Sequence, residues 1–313
     1  MTRILIFHKD ASNYERLFRE RESSLDLIST WDEKIFRDVL PTSEILVAMD
    51  FPTDALTNAK RLRWLQITSS GVEFLEPVKA QIKQLKVSNG RGIHSQPIAD
   101  YVMSAMTMLA FDFLSFMQQQ NRKTWMRRSV VPLAGCTVGI IGLGMIGQEI
   151  AKRAHHSDMK VIGLTRSSKN ISFVKTIYHA NEMNIFLKEV DFLVIATPET
   201  LETRNLISTD EFACLKPTTF LINIARGSLV NEIALISALR DKKIAGACLD
   251  VFVKEPLPME SPLWEMPNVI ITPHIAGMRF DYCEKFTDLF FENLRLYETN
   301  EKLKNIVDFQ IGY

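Results

Sequence analysis

The chain has 313 residues and a mass of 35.8 kDa, enough for about two domains at roughly 150 residues each. Lysine plus arginine is 37 and aspartate plus glutamate is 37, so the formal net charge is zero and gives no reason to expect a nucleic-acid or anionic-membrane partner. At 46% hydrophobic and 24% charged residues, intrinsic disorder and collagen-like order are excluded.

In chain order, the apolar run Ile4–Phe7 comes first, too short for a signal-peptide core. Strands are predicted at Arg3–Phe7, Glu44–Met49, Trp64–Thr68 and Lys86–Ser88. Helices are predicted near Tyr14–Arg19, Asp32–Asp38 and Asp54–Asn58. This βα alternation predicts a parallel sheet covered by helices. From Pro97 to about Gln120 one long apolar helix is expected, with Pro97 in its first turn. Ser104, Thr107, Asp112 and Ser115 interrupt it, which favours a buried helix over a membrane span.

A second series follows. Strands are expected at Thr137–Ile141, Lys160–Leu164, Phe192–Ala196, Thr219–Asn223, Ala245–Cys248 and Val269–Thr272. Helices are expected near Met145–Ala154, Glu182–Lys188, Asn231–Arg240 and Arg279–Glu298. The pattern matches an α/β, doubly wound parallel sheet. The last helix belongs either to this unit or to the first. Cys136, Cys214, Cys248 and Cys283 lack zinc or redox spacing, so no metal site is expected and a reducing cytoplasm is the expected location.

Thr137 to Gly147 reads TVGIIGLGMIG, a strand running into Gly142, Leu143, Gly144, Met145, Ile146 and Gly147 and then a helix. This is the G-x-G-x-x-G turn in its strand–turn–helix setting. Gly142 permits the tight turn, Gly144 lets a pyrophosphate approach, and Gly147 lets the helix close on its strand. The helix N-terminus then holds the phosphate charge. A glycine-rich turn with no ligand, or a methyltransferase-like site, is the competing reading. About 20 residues on, an NAD site places an acidic residue against the ribose. Thr165 stands there, followed by Arg166, Ser167, Ser168 and Lys169. With no carboxylate to repel a 2′-phosphate and Arg166 to bind it, NADP(H) is expected ahead of NAD(H).

Three C-terminal segments carry chemistry: Asn223–Gly227, Asp250–Leu257 and Thr272–Gly277. Strand carboxyl ends line the crevice of a doubly wound sheet, so Arg226 and His274 should face it. Arg226 can hold a substrate carboxylate or keto oxygen through its donor fork. His274 can give a proton to that oxygen as hydride arrives. Glu255 can orient His274. Singly, each has a bland reading: a loop cap, a solvated charge, a satisfied core histidine.

Together with GLGMIG and ATPETLETRNLIS, the segments NIARGSLVNE, LDVFVKEPLP and NVIITPHIAG resemble the D-isomer-specific 2-hydroxyacid dehydrogenase family, in order and spacing, over nearly the whole chain. The resemblance implies a catalytic triad of Arg226, Glu255 and His274. It implies two Rossmann-like domains, 1–96 with 284–313 for substrate and 97–283 for dinucleotide, with the active site in the cleft between them. Asp250 matches a family residue near the nicotinamide carboxamide. Thr197, Pro198, Ala225 and Gly277 are expected along the cofactor. Ser70, Gly71 and Val72 match the loop whose amides hold the substrate carboxylate. Arg91 and His94 either touch substrate or are structural. The implied activity interconverts a small 2-keto acid and its D-2-hydroxy acid, reduction being the expected direction.

The chain departs from the family where Thr165 and Asp100 replace the usual Asp and Glu. Met103, Met106 and Met108 read as core or subunit interface. The resemblance implies a homodimer; Trp125 with Arg127 and Arg128 is either an arm toward the partner or a solvated helix end. Phosphoglycerate dehydrogenase is one alternative, without an assignable site for the extra phosphate. A dinucleotide-sensing corepressor is another, from a different class. Formate dehydrogenase is disfavoured, because Glu255 stands where it carries Gln.

Overall fold

In the computed structural model, residues 2–166 and 170–309 are described. The described residues fall into two units: those up to Ile93 with those from Arg279 onward, and His94–Met278.

In the first unit, β1 (Arg3–Phe7), α1 (Ala11–Arg21), β2 (Asp26–Thr30), α2 (Glu33–Val39), β3 (Ile45–Ala48), β4 (Trp64–Ile67), α3 (Lys79–Ile82) and β5 (Lys86–Ser88) build a parallel sheet of order β2-β1-β3-β4-β5. β3 and β4 are buried throughout, as strands covered on both faces should be. Asp32 starts α2 by accepting from the Lys34 and Ile35 amides.

The second unit opens with α4 (Ser95–Ala110) and α5 (Phe113–Asn121). One helix was expected here; the chain instead bends by 65° between two. Asp112 takes a left-handed φ of 51° and caps α5 by accepting from the Ser115 amide. The unit continues with β6 (Thr137–Ile141), α6 (Met145–His156), β7 (Lys160–Leu164), β8 (Thr176–Tyr178), α7 (Met183–Glu189), β9 (Phe192–Ile195), α8 (Thr209–Cys214), β10 (Phe220–Asn223), α9 (Glu232–Arg240), β11 (Gly246–Leu249) and β12 (Val269–Ile271). Its sheet has seven parallel strands in the order β12-β11-β10-β9-β6-β7-β8. Connections run outward in both directions from β6 and β9, so the topological switch lies between them. Asp100 on α4 pairs with Arg153 on α6, which gives the unexpected aspartate a structural task. Met106 is fully buried, while Met103 and Met108 are half-buried.

α10 (Tyr282–Glu298) returns to the first unit. Its Phe286, Phe290 and Leu294 pack with Tyr14, Phe18 and Trp64. Phe290 stacks on Trp64 at 5.3 Å and on Phe18 at 4.5 Å. Two edge strands, β2 and β8, were not expected, and Thr53–Asn58 is a 3-10 turn in place of the expected α-helix. Phe290→Ala should cost about 3–5 kcal/mol, because the helix cannot collapse into the void left between two rings. Urea unfolding measures this; a cost below about 1 kcal/mol would mean α10 does not anchor the unit.

Candidate active site

β6 delivers the chain to Gly142, whose φ is +95°. A Cβ there would lie 2.7 Å from the Ala196 carbonyl and the Thr197 amide nitrogen, so the turn packs across the switch point onto the end of β9. At Gly147 a Cβ would fall 2.0 Å from the Gly142 oxygen, so only glycine lets α6 close on its strand. Gly144, the residue before α6, has no neighbour within 4 Å of its missing Cβ. An open cradle thus faces the positive end of a twelve-residue helix. These residues fit a dinucleotide pyrophosphate. Met145 is half-exposed in the first turn, and Ile146 packs against the α4 side.

Thr165 and Arg166 follow β7; Ser167 lies outside the described residues. The Thr165 carbonyl accepts from His179 Nδ1 at 3.1 Å. Arg166 reaches Glu202 at 3.4 Å, with both side chains exposed. The expected phosphate contact therefore has a competing anion that sequence reasoning missed. Thr197 and Pro198 follow β9, and the Pro198 carbonyl accepts from the Thr203 hydroxyl at 2.9 Å.

After β10, Asn223 accepts from the Ala225 amide at 3.1 Å and donates to the Arg226 carbonyl at 2.9 Å. This side-chain clasp shapes the turn that presents Arg226, whose Nη1 donates to the Ala225 carbonyl at 2.8 Å. After β11, Glu255 accepts from the Phe252 amide at 3.0 Å through one oxygen and from His274 Nδ1 at 2.8 Å through the other. Burial pushes the Glu255 carboxyl up, but the His274 hydrogen bond, the Phe252 amide and the His274 and Arg226 charges outweigh it and hold the group below its usual value. A carboxylate cannot donate, so Nδ1 carries the proton and Nε2 is left for chemistry. The triad is assembled around the His274–Glu255 bond, with Arg226 within electrostatic reach.

His274 has a left-handed φ of 55°, unusual for a non-glycine residue. Asp250 sustains it: its carbonyl accepts from the His274 amide at 2.9 Å. Its carboxylate accepts from the Thr272 hydroxyl, the Ile275 amide and the Ala276 amide at 2.6, 2.8 and 2.9 Å. Asp250 is only 1% exposed. Its carboxylate thus holds the turn from within, at the carboxyl end of β11. The Gly277 carbonyl contacts His94 Nδ1 at 2.8 Å, which ties His94 to the same turn.

In the first unit, loop 68–72 follows β4. Ser70 accepts through its carbonyl from Asn89 at 2.7 Å, and Gly71 from the Ser69 hydroxyl at 2.9 Å. Among the described residues none accepts from the Ser70, Gly71 or Val72 amides. That leaves donors of the kind an anion takes. The Arg91 carbonyl accepts from Asn305 at 2.6 Å. An open depression of about 550 Å³ lies at the opposite, amino ends of these strands, lined by Glu44, Arg63, Lys86 and Tyr297. It is the wrong end of a parallel sheet for the chemistry. Trp125 is exposed, while Arg128 pairs with Asp112. No metal-holding cluster of His, Cys, Asp and Glu occurs among the described residues.

Because the Glu255 value is depressed on folding, its stabilising contribution is complete above the ordinary carboxylate range and is lost as pH falls through the folded value. The difference in melting temperature between the wild type and Glu255→Gln should therefore narrow on acidification below about pH 4.3. A pH-independent difference in thermal scans would remove the carboxylate from the pair.

Residues 103–276 match the family described as D-isomer specific 2-hydroxyacid dehydrogenase, NAD binding domain. A glyoxylate reductase from Pyrococcus furiosus is 30% identical over 290 residues, covering 89% of this chain and 86% of that protein. The structure of a D-isomer specific 2-hydroxyacid dehydrogenase family protein from Aeromonas salmonicida aligns with a TM-score of 0.89 at 31% identity, covering 98% of this chain and 99% of that one. An NADPH-dependent glyoxylate/hydroxypyruvate reductase from Sinorhizobium meliloti, solved with NADP and sulfate, aligns at 0.88 and 25% identity, covering all of both chains.

Proposed function

The chain belongs to the D-isomer-specific 2-hydroxyacid dehydrogenase family, and within it we propose an NADPH-dependent reductase of small 2-keto acids. That it is an oxidoreductase of the CH–OH group using a nicotinamide dinucleotide follows from the family. The observation that carries the chemistry is the 2.8 Å bond between His274 and Glu255.

Gly142, Gly144 and Gly147, with the start of α6, would hold the pyrophosphate of a dinucleotide, a group that would supply hydride chemistry when bound. Arg226 holds the carboxylate or keto oxygen of the substrate. His274 gives its Nε2 proton to the oxygen as negative charge develops there, while Glu255 keeps Nδ1–H and stabilises the imidazolium. The Ser70, Gly71 and Val72 amides offer donors for the carboxylate. Three points support NADPH: Thr165 in place of an acidic residue, Arg166 beside it, and the NADP bound in the Sinorhizobium relative. The relatives' names point to glyoxylate and hydroxypyruvate as first substrates. Exposed Trp125, Met126, Val131 and Met117 support a homodimer, and the widely spaced free cysteines support a cytoplasmic location.

Absorbance at 340 nm, with NADPH or NADH against glyoxylate, hydroxypyruvate, pyruvate and branched 2-keto acids, tests the reading. Turnover should be fastest with NADPH and one of the first two, and His274→Ala should lower kcat by about 10²–10⁴-fold with cofactor binding retained. Dinucleotide binding without turnover on any of them would overturn the reductase. Arg166→Ala should weaken NADPH by roughly 10- to 100-fold and spare NADH, since a charge-assisted hydrogen bond is worth about 1.5–3 kcal/mol. Equal losses in fluorescence titrations would reject the 2′-phosphate contact.

A further inference from the structure

Behind the catalytic turn lies a side-chain series that the proton chemistry does not itself use. Tyr101, on α4, contacts Thr272 Oγ1 at 2.6 Å and Cys248 Sγ at 3.1 Å. Donor directions follow from counting protons. The Thr272 hydroxyl has one hydrogen and gives it to Asp250 at 2.6 Å. Toward Tyr101 it can only accept, so the phenol donates to Thr272. The phenol oxygen in turn accepts from the thiol of Cys248. Burial pushes the Tyr101 phenol far above its ordinary value and the Cys248 thiol up to about 11, so both keep the protons this direction needs.

The series ends on a carboxylate that also accepts the Ile275 and Ala276 amides, the two residues after His274. Without the Thr272 hydrogen bond anchored on Tyr101, Asp250 can swing away from those amides, and the left-handed backbone at His274 loses part of what sustains it. Cys248, Asp250 and Thr272 all lie on β11, on β12 or just beyond them, so Tyr101 ties this series to a separate helix, α4. We infer that Tyr101 is a positioning residue for the proton donor, its hydroxyl holding His274 against Glu255 through Thr272 and Asp250. This rests on the reading of His274 as that donor.

The test uses the full chain as Tyr101→Phe, Thr272→Val, Thr272→Ser, the Phe/Val double variant and His274→Ala. The measurements are kcat and KM with glyoxylate, the NADPH dissociation constant by fluorescence, and the downfield Nδ1–H resonance of His274 by NMR. Tyr101→Phe should lower kcat about tenfold, as expected for one lost hydrogen bond, leave the NADPH dissociation constant within about twofold, and broaden the resonance. Thr272→Val should do the same, Thr272→Ser should stay near wild type, and the double variant should be no slower than Thr272→Val, because the hydroxyls act as one series. A Tyr101→Phe protein that loses melting temperature but keeps kcat and a sharp resonance would overturn the inference. So would single effects that multiply in the double variant. If His274→Ala turns over normally, the donor reading and this inference fall together. An inactive His274→Ala beside an unaltered Tyr101→Phe removes only the role of Tyr101.

Discussion

Asp250 is almost wholly buried, and the Thr272 hydroxyl and the Ile275 and Ala276 amides converge on its carboxylate while its own carbonyl takes the His274 amide. A buried carboxylate is costly unless its lone pairs are filled, and here the turn fills them. The return is geometric: a histidine is held at a φ that its own backbone disfavours. That conformation brings Nδ1 to Glu255. The orientation of the histidine therefore descends from one buried hydrogen-bonded clasp between consecutive strand ends, while Glu255 sets its tautomer.

The cofactor side depends on close approach. Gly142 bends the chain against the Ala196–Thr197 backbone, and Gly147 lets α6 lie on that bend. A larger residue at Gly142 would push the turn off the end of β9 where the strand order reverses, and one at Gly147 would push α6 off that turn; the reversal is what opens a crevice at the carboxyl ends of the strands. The Asn223 clasp acts in the same region, setting the Arg226 turn after β10. Parallel register thus carries the glycine turn, Arg226, Glu255 and His274 to the same end of one sheet.

What was legible in the sequence follows from burial. β1, β3, β6, β7, β9 and β10 are short apolar runs because neighbours cover them on both sides, and each was expected within a residue of its position. β2 and β8 are edge strands, short, polar or half-buried, so they leave no such run. The break at Asp112 was hidden because a residue that interrupts an apolar stretch can be a polar guest in one helix or the cap of a second. Arg226, Glu255 and His274 were legible as residue types after strands, aided by the family resemblance. The Glu202 partner of Arg166 and the Tyr101–Thr272 contact were not, since each joins residues 36 or more positions apart. Side-chain pairings of that range depend on packing that no local pattern encodes.

The two halves of the site differ in how firmly they are held. The histidine turn is itself largely exposed but is anchored on the buried Asp250, with hydrogen bonds filling that carboxylate and one bond joining His274 to Glu255. In the proposed function, cofactor choice would fall to Arg166 and Glu202, an exposed pair that solvent and salt weaken. An arriving 2′-phosphate has only to outcompete one solvated carboxylate, while a cofactor without it leaves the pair in place. On that proposal, preference between the two dinucleotides would change through a surface charge, with no consequence for the His274 turn. Altering the chemistry would require dismantling buried hydrogen bonds, each of which leaves an unsatisfied group behind.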